Sequence, residues 1–156
     1  MGQPMPVEIY QATAEDISSI CAIHRDLKRP LRSAYPASEY LLAREDGEVV
    51  GCAGISICKN GAYFYGLAVK REWHRRGVGS QLMKARIELA KAAQVEVAVA
   101  LAMFWNSRFF HKHGFFPVKR ALLPAAAHFH PDLADPAYRR SAAMLCLLRE
   151  KGPRGC

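Results

Sequence analysis

The stretch Arg75-Arg76-Gly77-Val78-Gly79-Ser80 has the residue types and spacing of an anion-binding turn. Its two glycines allow the backbone to approach a bulky ligand closely. Its two guanidiniums offer charge-assisted hydrogen bonds to phosphate oxygens. A strand-like run ends near Lys70 and a helix-like run opens at Gly77, so the unpaired amides and positive pole of a helix N-terminus add to the attraction. The combination suits a pyrophosphate. Two common phosphate motifs do not fit: a P-loop needs Gly-Lys-Ser/Thr, and no such lysine follows Gly79. A dinucleotide fingerprint needs a third glycine where Leu82 stands, and a strand early in the chain rather than in its middle.

Composition narrows the classes. The chain has 156 residues, 51% of them apolar, enough for one core and one domain over 1–156. The formal charge of +8 attracts anions, whether nucleic acid, a membrane surface or a small polyanion such as a nucleotide cofactor. The clearest cluster of arginines is the one in the phosphate turn, which argues against a nucleic-acid partner. No apolar run reaches the roughly 20 residues of a membrane span. The start MGQPMPVEIY lacks a signal-peptide pattern, and Pro6 stands where a myristoylation motif needs Ser or Thr. A soluble cytoplasmic protein without membrane or nucleic-acid partners is expected.

The elements that must position the turn are read from periodicity. Val7 to Gln11 alternates as a strand, and Thr13 caps a helix with Ile17, Ile20, Cys21, Ile23, His24 and Leu27 on its apolar side. Residues 28–38 hold Pro30 and Pro36 and read as a loop. A meander follows: Tyr40 to Arg44, an Asp46-Gly47 turn, Val49 to Cys58, an Asn60-Gly61 turn, then Ala62 to Lys70. Gly77 to Ala93 reads as a long helix with Leu82, Ala85, Leu89 and Ala92 along one face. Val95 to Ala102 is a strand apolar on both faces. Ser107 to His113 is a short helix stopped by Gly114. Phe115 to Leu122 and Ser141 to Arg149 are closing strands, with the insertion HFHPDLADPAYRR between them.

Five cysteines, Cys21, Cys52, Cys58, Cys146 and Cys156, show no Cys-x-x-Cys pairing, and four lie in apolar stretches as small hydrophobes. Cys156 is the candidate for an exposed thiol. His111 and His113 point apart on a helix. His128, His130 and Asp132 could make a zinc set, but no further ligand cluster supports it, so surface or pocket histidines and no metal are expected. Trp73 and Trp105 read as packing residues. Arg139-Arg140 and Lys151 to Arg154 read as a solvated end.

Over nearly its whole length the sequence resembles the GNAT acetyltransferase superfamily. Leu67-Ala68-Val69 matches the Leu-x-Val strand end, and Arg75 to Ser80 match the Gln/Arg-x-x-Gly-x-Gly/Ala turn, with His74 where Gln or Arg is usual. Phe109-Phe110-His111-Lys112-His113-Gly114-Phe115 resembles the aromatic pair and Gly-Phe that precede the sixth strand. The resemblance implies an α/β fold with a mixed, largely antiparallel sheet flanked by helices. It implies acetyl-CoA as co-substrate, with the backbone of Leu67, Ala68 and Val69 on the pantetheine arm. The pyrophosphate would meet His74, Arg75, Arg76, Gly77, Val78, Gly79 and Ser80. An acceptor amine would attack the thioester directly while a base takes its proton, and an amide near Leu67 or Val69 would steady the oxyanion.

The family pattern breaks at the catalytic positions. Tyr63 stands where the usual glutamate base lies, and Tyr65 shares its strand face. A phenol near pKa ~10 is a poor base, so lining an acceptor pocket is the first reading and proton transfer the second. Glu39, through water, is an alternative base. The usual acidic tyrosine aligns with Phe110, leaving Tyr138 of the insertion as the candidate acid. The family's asparagine aligns with Met103, and nearby Asn106 is taken, with Phe110, as a cofactor contact. These absences resemble the amino-acid-acetylating branch that includes N-acetylglutamate synthase. The expected activity is acetylation of a primary amine on a small molecule such as an amino acid or polyamine, with a homodimer in line with the family. A protein or peptide acetyltransferase and a non-catalytic acyl-CoA-binding module are the alternatives.

Overall fold

β-Branched and aromatic residues recur between turn signals, so strands dominate. The computed structural model describes residues 7–29 and 36–148. The Met1-Gly2 start, Pro6, Pro30, Arg149, the Lys151 to Arg154 end and Cys156 lie outside the described residues. The elements are β1 (Glu8–Gln11), α1 (Ile17–Asp26), β2 (Tyr40–Glu45), β3 (Glu48–Cys58), β4 (Gly61–Val69), α2 (Val78–Ala92), β5 (Val97–Ala102), α3 (Ser107–Lys112), β6 (Phe116–Pro117) and β7 (Ala142–Leu147). The seven strands are ordered β1-β2-β3-β4-β5-β7-β6. β1 with β2 and β2 with β3 are antiparallel, as are β5 with β7 and β6 with β7. β4 runs parallel to β5, from Gly61 opposite Val97 to Phe64 opposite Ala100. This is the mixed, largely antiparallel sheet that the sequence leads one to expect.

The chain divides into two compact units, one of residues up to Ile55 with Tyr65–Arg86, the other of Ser56–Phe64 and residues from Ile87 onward. In the first, Leu41, Ala43, Val50 and Ala53 of the meander pack with Val78 and Leu82 of α2. Gly51 permits that approach: a Cβ there would lie 3.1 Å from Leu82 Cδ1. Thr13 caps the turn into α1, donating its N–H to Asp16 Oδ2 at 2.8 Å. In the second, Phe115 packs against Phe64 and Phe110, with ring centroids 5.7 and 5.5 Å away, and β5 is buried at Val97 to Ala100 and Ala102.

Several expectations need correction. The first turn does use Asp46 and Gly47, both at positive φ (48° and 79°), as a tight hairpin of this hand requires. The second turn is not Asn60-Gly61. β3 ends at Cys58 and β4 already begins at Gly61, and the left-handed residue is Lys59 at φ 32°. Gly61 is small for another reason: a Cβ there would lie 1.9 Å from the Ala126 carbonyl oxygen. The closing strand at Phe115 to Leu122 shrinks to Phe116–Pro117, because Pro117 has no N–H to continue a ladder. Beyond it Arg120–Leu122 form a 3-10 turn.

The inward stripe of α2 also differs. Leu89 is 38% exposed and Ala92 is exposed, while Val78, Leu82, Met83, Arg86 and Ala90 are buried. Rotating the stripe by one position buries a guanidinium. Cys21 is half-buried, and Cys52 and Cys146 are buried, but Cys58 is exposed because it closes β3 at the hairpin end. Trp105 is 54% exposed, its ring edge-on to Phe104 at 5.1 Å, and lies outside the core. Among the described residues no helix is long and apolar enough to cross a membrane.

Gly61→Ala tests the docking of the insertion on β4. The added methyl must push the Ala126 backbone away, and denaturant unfolding should show a loss of about 1–3 kcal/mol.

Candidate active site

The phosphate-type turn sits where β4 gives way to α2. A 3-10 turn at Arg71–Trp73 leads into it. Arg75 (φ 64°) and Gly77 (φ 81°) are both left-handed, a conformation that gathers successive amides into a concave anion-binding nest. An arginine in this region is uncommon. His74 Nε2 meets the Val69 carbonyl at 2.6 Å, stapling the end of β4 across the turn. The imidazole that the motif assigns to the pyrophosphate is thus engaged with the backbone. Arg76 lies over the Trp73 ring, 5.0 Å from its centroid, so Trp73 serves as a platform for a guanidinium and also packs on the core. Arg75 and Arg76 are exposed, Gly77, Gly79 and Ser80 half-buried, and Val78 is anchored in the core.

Upstream, Leu67 and Val69 pack their side chains on the core and Ala68 is buried. Gly66, at φ 63°, interrupts the extended run of β4; such a left-handed residue re-aims the strand that follows it. Beneath it lie His24 Nε2, 3.8 Å from where a Gly66 Cβ would be, and Cys52, whose thiol is 3.6 Å from His24 Nε2 and 3.7 Å from the Gly66 carbonyl oxygen. Burial pulls the His24 imidazole below its ordinary value and outweighs the hydrogen bonds to Gly66 and Arg29 that raise it. Burial pushes the Cys52 thiol up to about 12, so it stays a thiol and is no nucleophile.

Tyr65 is held at both ends. Its hydroxyl donates to Glu39 Oε1 at 2.6 Å, and its carbonyl accepts from Arg86 Nη1 at 3.3 Å. The same nitrogen donates to the Gly54 carbonyl at 3.0 Å. The Tyr65 ring fills the space where a Gly54 side chain would stand and meets Tyr40 edge-on at 5.6 Å. Burial draws the Arg86 pKa down to about 9, still protonated at neutral pH.

In the other unit, Tyr63 donates to Asp132 Oδ2 at 3.0 Å and its ring lies 4.2 Å from that of His130. His130 Nδ1 accepts the Asp132 N–H at 3.2 Å and lies 3.8 Å from Asp132 Oδ2. His128 is exposed and bonded to the Leu123 carbonyl. Among the described residues no cluster of three potential metal ligands occurs. Tyr138 ends a 3-10 turn whose carbonyl is gripped by Arg120 and by the Ser141 hydroxyl. Asn106 accepts the Met103 N–H at 2.8 Å, closing the turn before α3. Phe110 is 6% exposed and lies in the aromatic core.

Sequence reasoning treated Asp132 only as a metal candidate and overlooked Arg86. Asp132 carried no signal, since its partner is 69 positions away. Arg86 did: it falls on the same helical stripe as Leu82, Met83 and Ala90.

A mixed sheet that leads through a basic, left-handed turn into a long helix defines an α/β protein. A model of the acetyltransferase (GNAT) family matches residues 7–115, and the chain belongs to this family. Among solved structures it is similar to N-acetylglutamate synthase from Neisseria gonorrhoeae complexed with coenzyme A and L-arginine, at 25% identity and TM-score 0.77, over 92% of this chain and 34% of that one. It thus spans about a third of the length of that synthase. It is also similar in fold to Rv2747 from Mycobacterium tuberculosis in complex with CoA and NLQ (17% identity, TM-score 0.77, 90% and 98% covered). A third likeness is to Ard1 from Thermoplasma volcanium (22%, TM-score 0.70, 94% and 100%). No curated protein matches the sequence.

His24 gives the site a pH signature. Its folded value lies below the ordinary 6.5, so below 6.5 the unfolded chain binds the proton more readily and stability falls with pH. Thermal melts from about pH 7 to about pH 5 should show this decline, and His24→Gln should flatten it.

Proposed function

We propose that this chain moves the acetyl group of acetyl-CoA to a primary amine of a small molecule, an amino acid or polyamine, by direct attack. The observation that carries the reading is the turn from His74 to Ser80, with its left-handed Arg75 and Gly77 opening α2. A nest of amides under two exposed guanidiniums fits a pyrophosphate. The bound coenzyme A in the Neisseria synthase and CoA in the Mycobacterium protein support the donor. The backbone of Leu67 to Val69 takes the pantetheine arm. On this reading the synthase, as the name of a neighbour, favours an amino-acid acceptor.

The amine nitrogen adds to the thioester carbonyl, and the thiolate leaves as the amide forms. Tyr63 and Tyr65 line the acceptor side and Tyr138 protonates the thiolate. The protein acts in the cytoplasm and pairs as a homodimer, without nucleic-acid or membrane partners.

Calorimetric titration with acetyl-CoA, beside turnover against a panel of amines, tests the reading. Binding and turnover are expected. Arg75→Ala with Arg76→Ala should weaken binding by about 100-fold or more, each lost charged hydrogen bond being worth about 1.5–3 kcal/mol. Binding without turnover on any amine or peptide would favour a non-catalytic acyl-CoA module, and turnover on peptides alone a peptide acetyltransferase. No binding would overturn the proposal. Tyr138→Phe should slow turnover at unchanged acetyl-CoA affinity; an unaltered kcat removes Tyr138 as the acid.

A further inference from the structure

We infer that Tyr65 and Glu39 form a two-step proton relay that drains the proton of the attacking amine to the surface. The inference rests on the acetyl-transfer reading above. A lone phenol, ordinarily near pKa ~10, is a weak base. Here its hydrogen is already committed to a carboxylate 2.6 Å away, the length of a charge-assisted O–H···O⁻ bond. What the phenol offers a ligand is therefore an oxygen lone pair with negative charge behind it. Tyr65 is 9% exposed and Glu39 is half-buried, so the pair runs from the interior outward.

The supports are specific. Gly54 clears room for the Tyr65 ring, and Arg86 holds the Tyr65 carbonyl. Glu39 ends the 3-10 turn Ala37–Glu39. The Gln11 side-chain amide donates to the carbonyls on both sides of it, Ser38 at 2.7 Å and Tyr40 at 3.0 Å.

The step balances. Once the C–N bond has formed, the nitrogen carries one proton too many and a positive charge. That proton passes to Tyr65 Oη as the phenol's own hydrogen passes to Glu39 Oε1. The products are a neutral nitrogen, an unchanged tyrosine and a protonated Glu39, which releases its proton to water. No phenolate forms. Tyr65 is the catalytic group, and Glu39 acts through it.

The test is a double-mutant cycle on the full chain with acetyl-CoA and an amine the wild type acetylates. Tyr65→Phe and Glu39→Gln should each lower kcat by roughly 100-fold, the usual scale of a proton-transfer group. Tyr65→Phe/Glu39→Gln should be no slower than the slower single variant, because one pathway is lost only once. Acetyl-CoA affinity should hold. Glutamine still accepts the Tyr65 hydrogen bond, so a merely structural Glu39 would be rescued by it. Unchanged kcat in Glu39→Gln, or losses that multiply in the double variant, overturns the relay. If Glu39→Gln does not fold, Tyr65→Phe alone carries the reading: lowered kcat with intact acetyl-CoA binding supports the relay, and unchanged kcat sinks it. A wild type that binds acetyl-CoA but acetylates nothing fails the transferase reading itself, and the relay with it.

Discussion

A single guanidinium ties the candidate site together. Arg86 is 1% exposed, and burying a cation costs several kcal/mol unless its hydrogens find acceptors. Two carbonyls accept from its Nη1, Gly54 on β3 and Tyr65 on β4. Because Arg86 belongs to α2, the helix that follows the basic left-handed turn is tethered to the strand position that carries Tyr65. Hydrophobic packing of Val78 and Leu82 brings the helix to the sheet, but packing alone is non-directional. The guanidinium supplies direction, because its planar donors accept only a narrow placement of the two oxygens.

The strand at the other end of that tether is irregular where it matters. Gly66 is left-handed, and the space under it is filled by Tyr40, His24 and Cys52 rather than by a side chain of its own. That filling has a chemical consequence. An imidazole and a thiol in a polar cleft would invite reactivity, but burial keeps the first neutral and the second protonated. The two groups act as shaped packing beneath the backbone that the proposed pantetheine arm would follow.

Tyr63 and Tyr65 are chemically alike and supported differently. Tyr65 leans on a carboxylate of its own unit, half open to solvent. Tyr63 leans on Asp132, which is 8% exposed and set in the insertion beside His130. Position along one strand therefore does not make them equivalent. A phenol whose carboxylate can exchange protons with water is suited to carry a proton away, and one whose carboxylate is enclosed is suited to hold a wall in place.

Much of this was legible in the chain of residues. Alternation and the Asp46-Gly47 pair sufficed for the meander because both are local: a strand's face and a turn's φ values depend on a few neighbours. The turn at Arg75–Ser80 was legible for the same reason, since glycines, arginines and a helix start are contiguous. Gly61 misled because a glycine beside asparagine reads as a turn, whereas its smallness answers to Ala126, far along the chain. Leu89 and Ala92 misled because an apolar stripe was drawn through hydrophobic residues only, leaving out the arginine that shares the buried face with Leu82, Met83 and Ala90. Sequence by itself determined the family, the sheet's kind and the basic turn. Tertiary structure alone decided which carboxylate meets which tyrosine, Glu39 with Tyr65 and Asp132 with Tyr63. Those pairs join positions 26 and 69 residues apart, and a hydrogen bond over such a separation exists only after the chain between has folded.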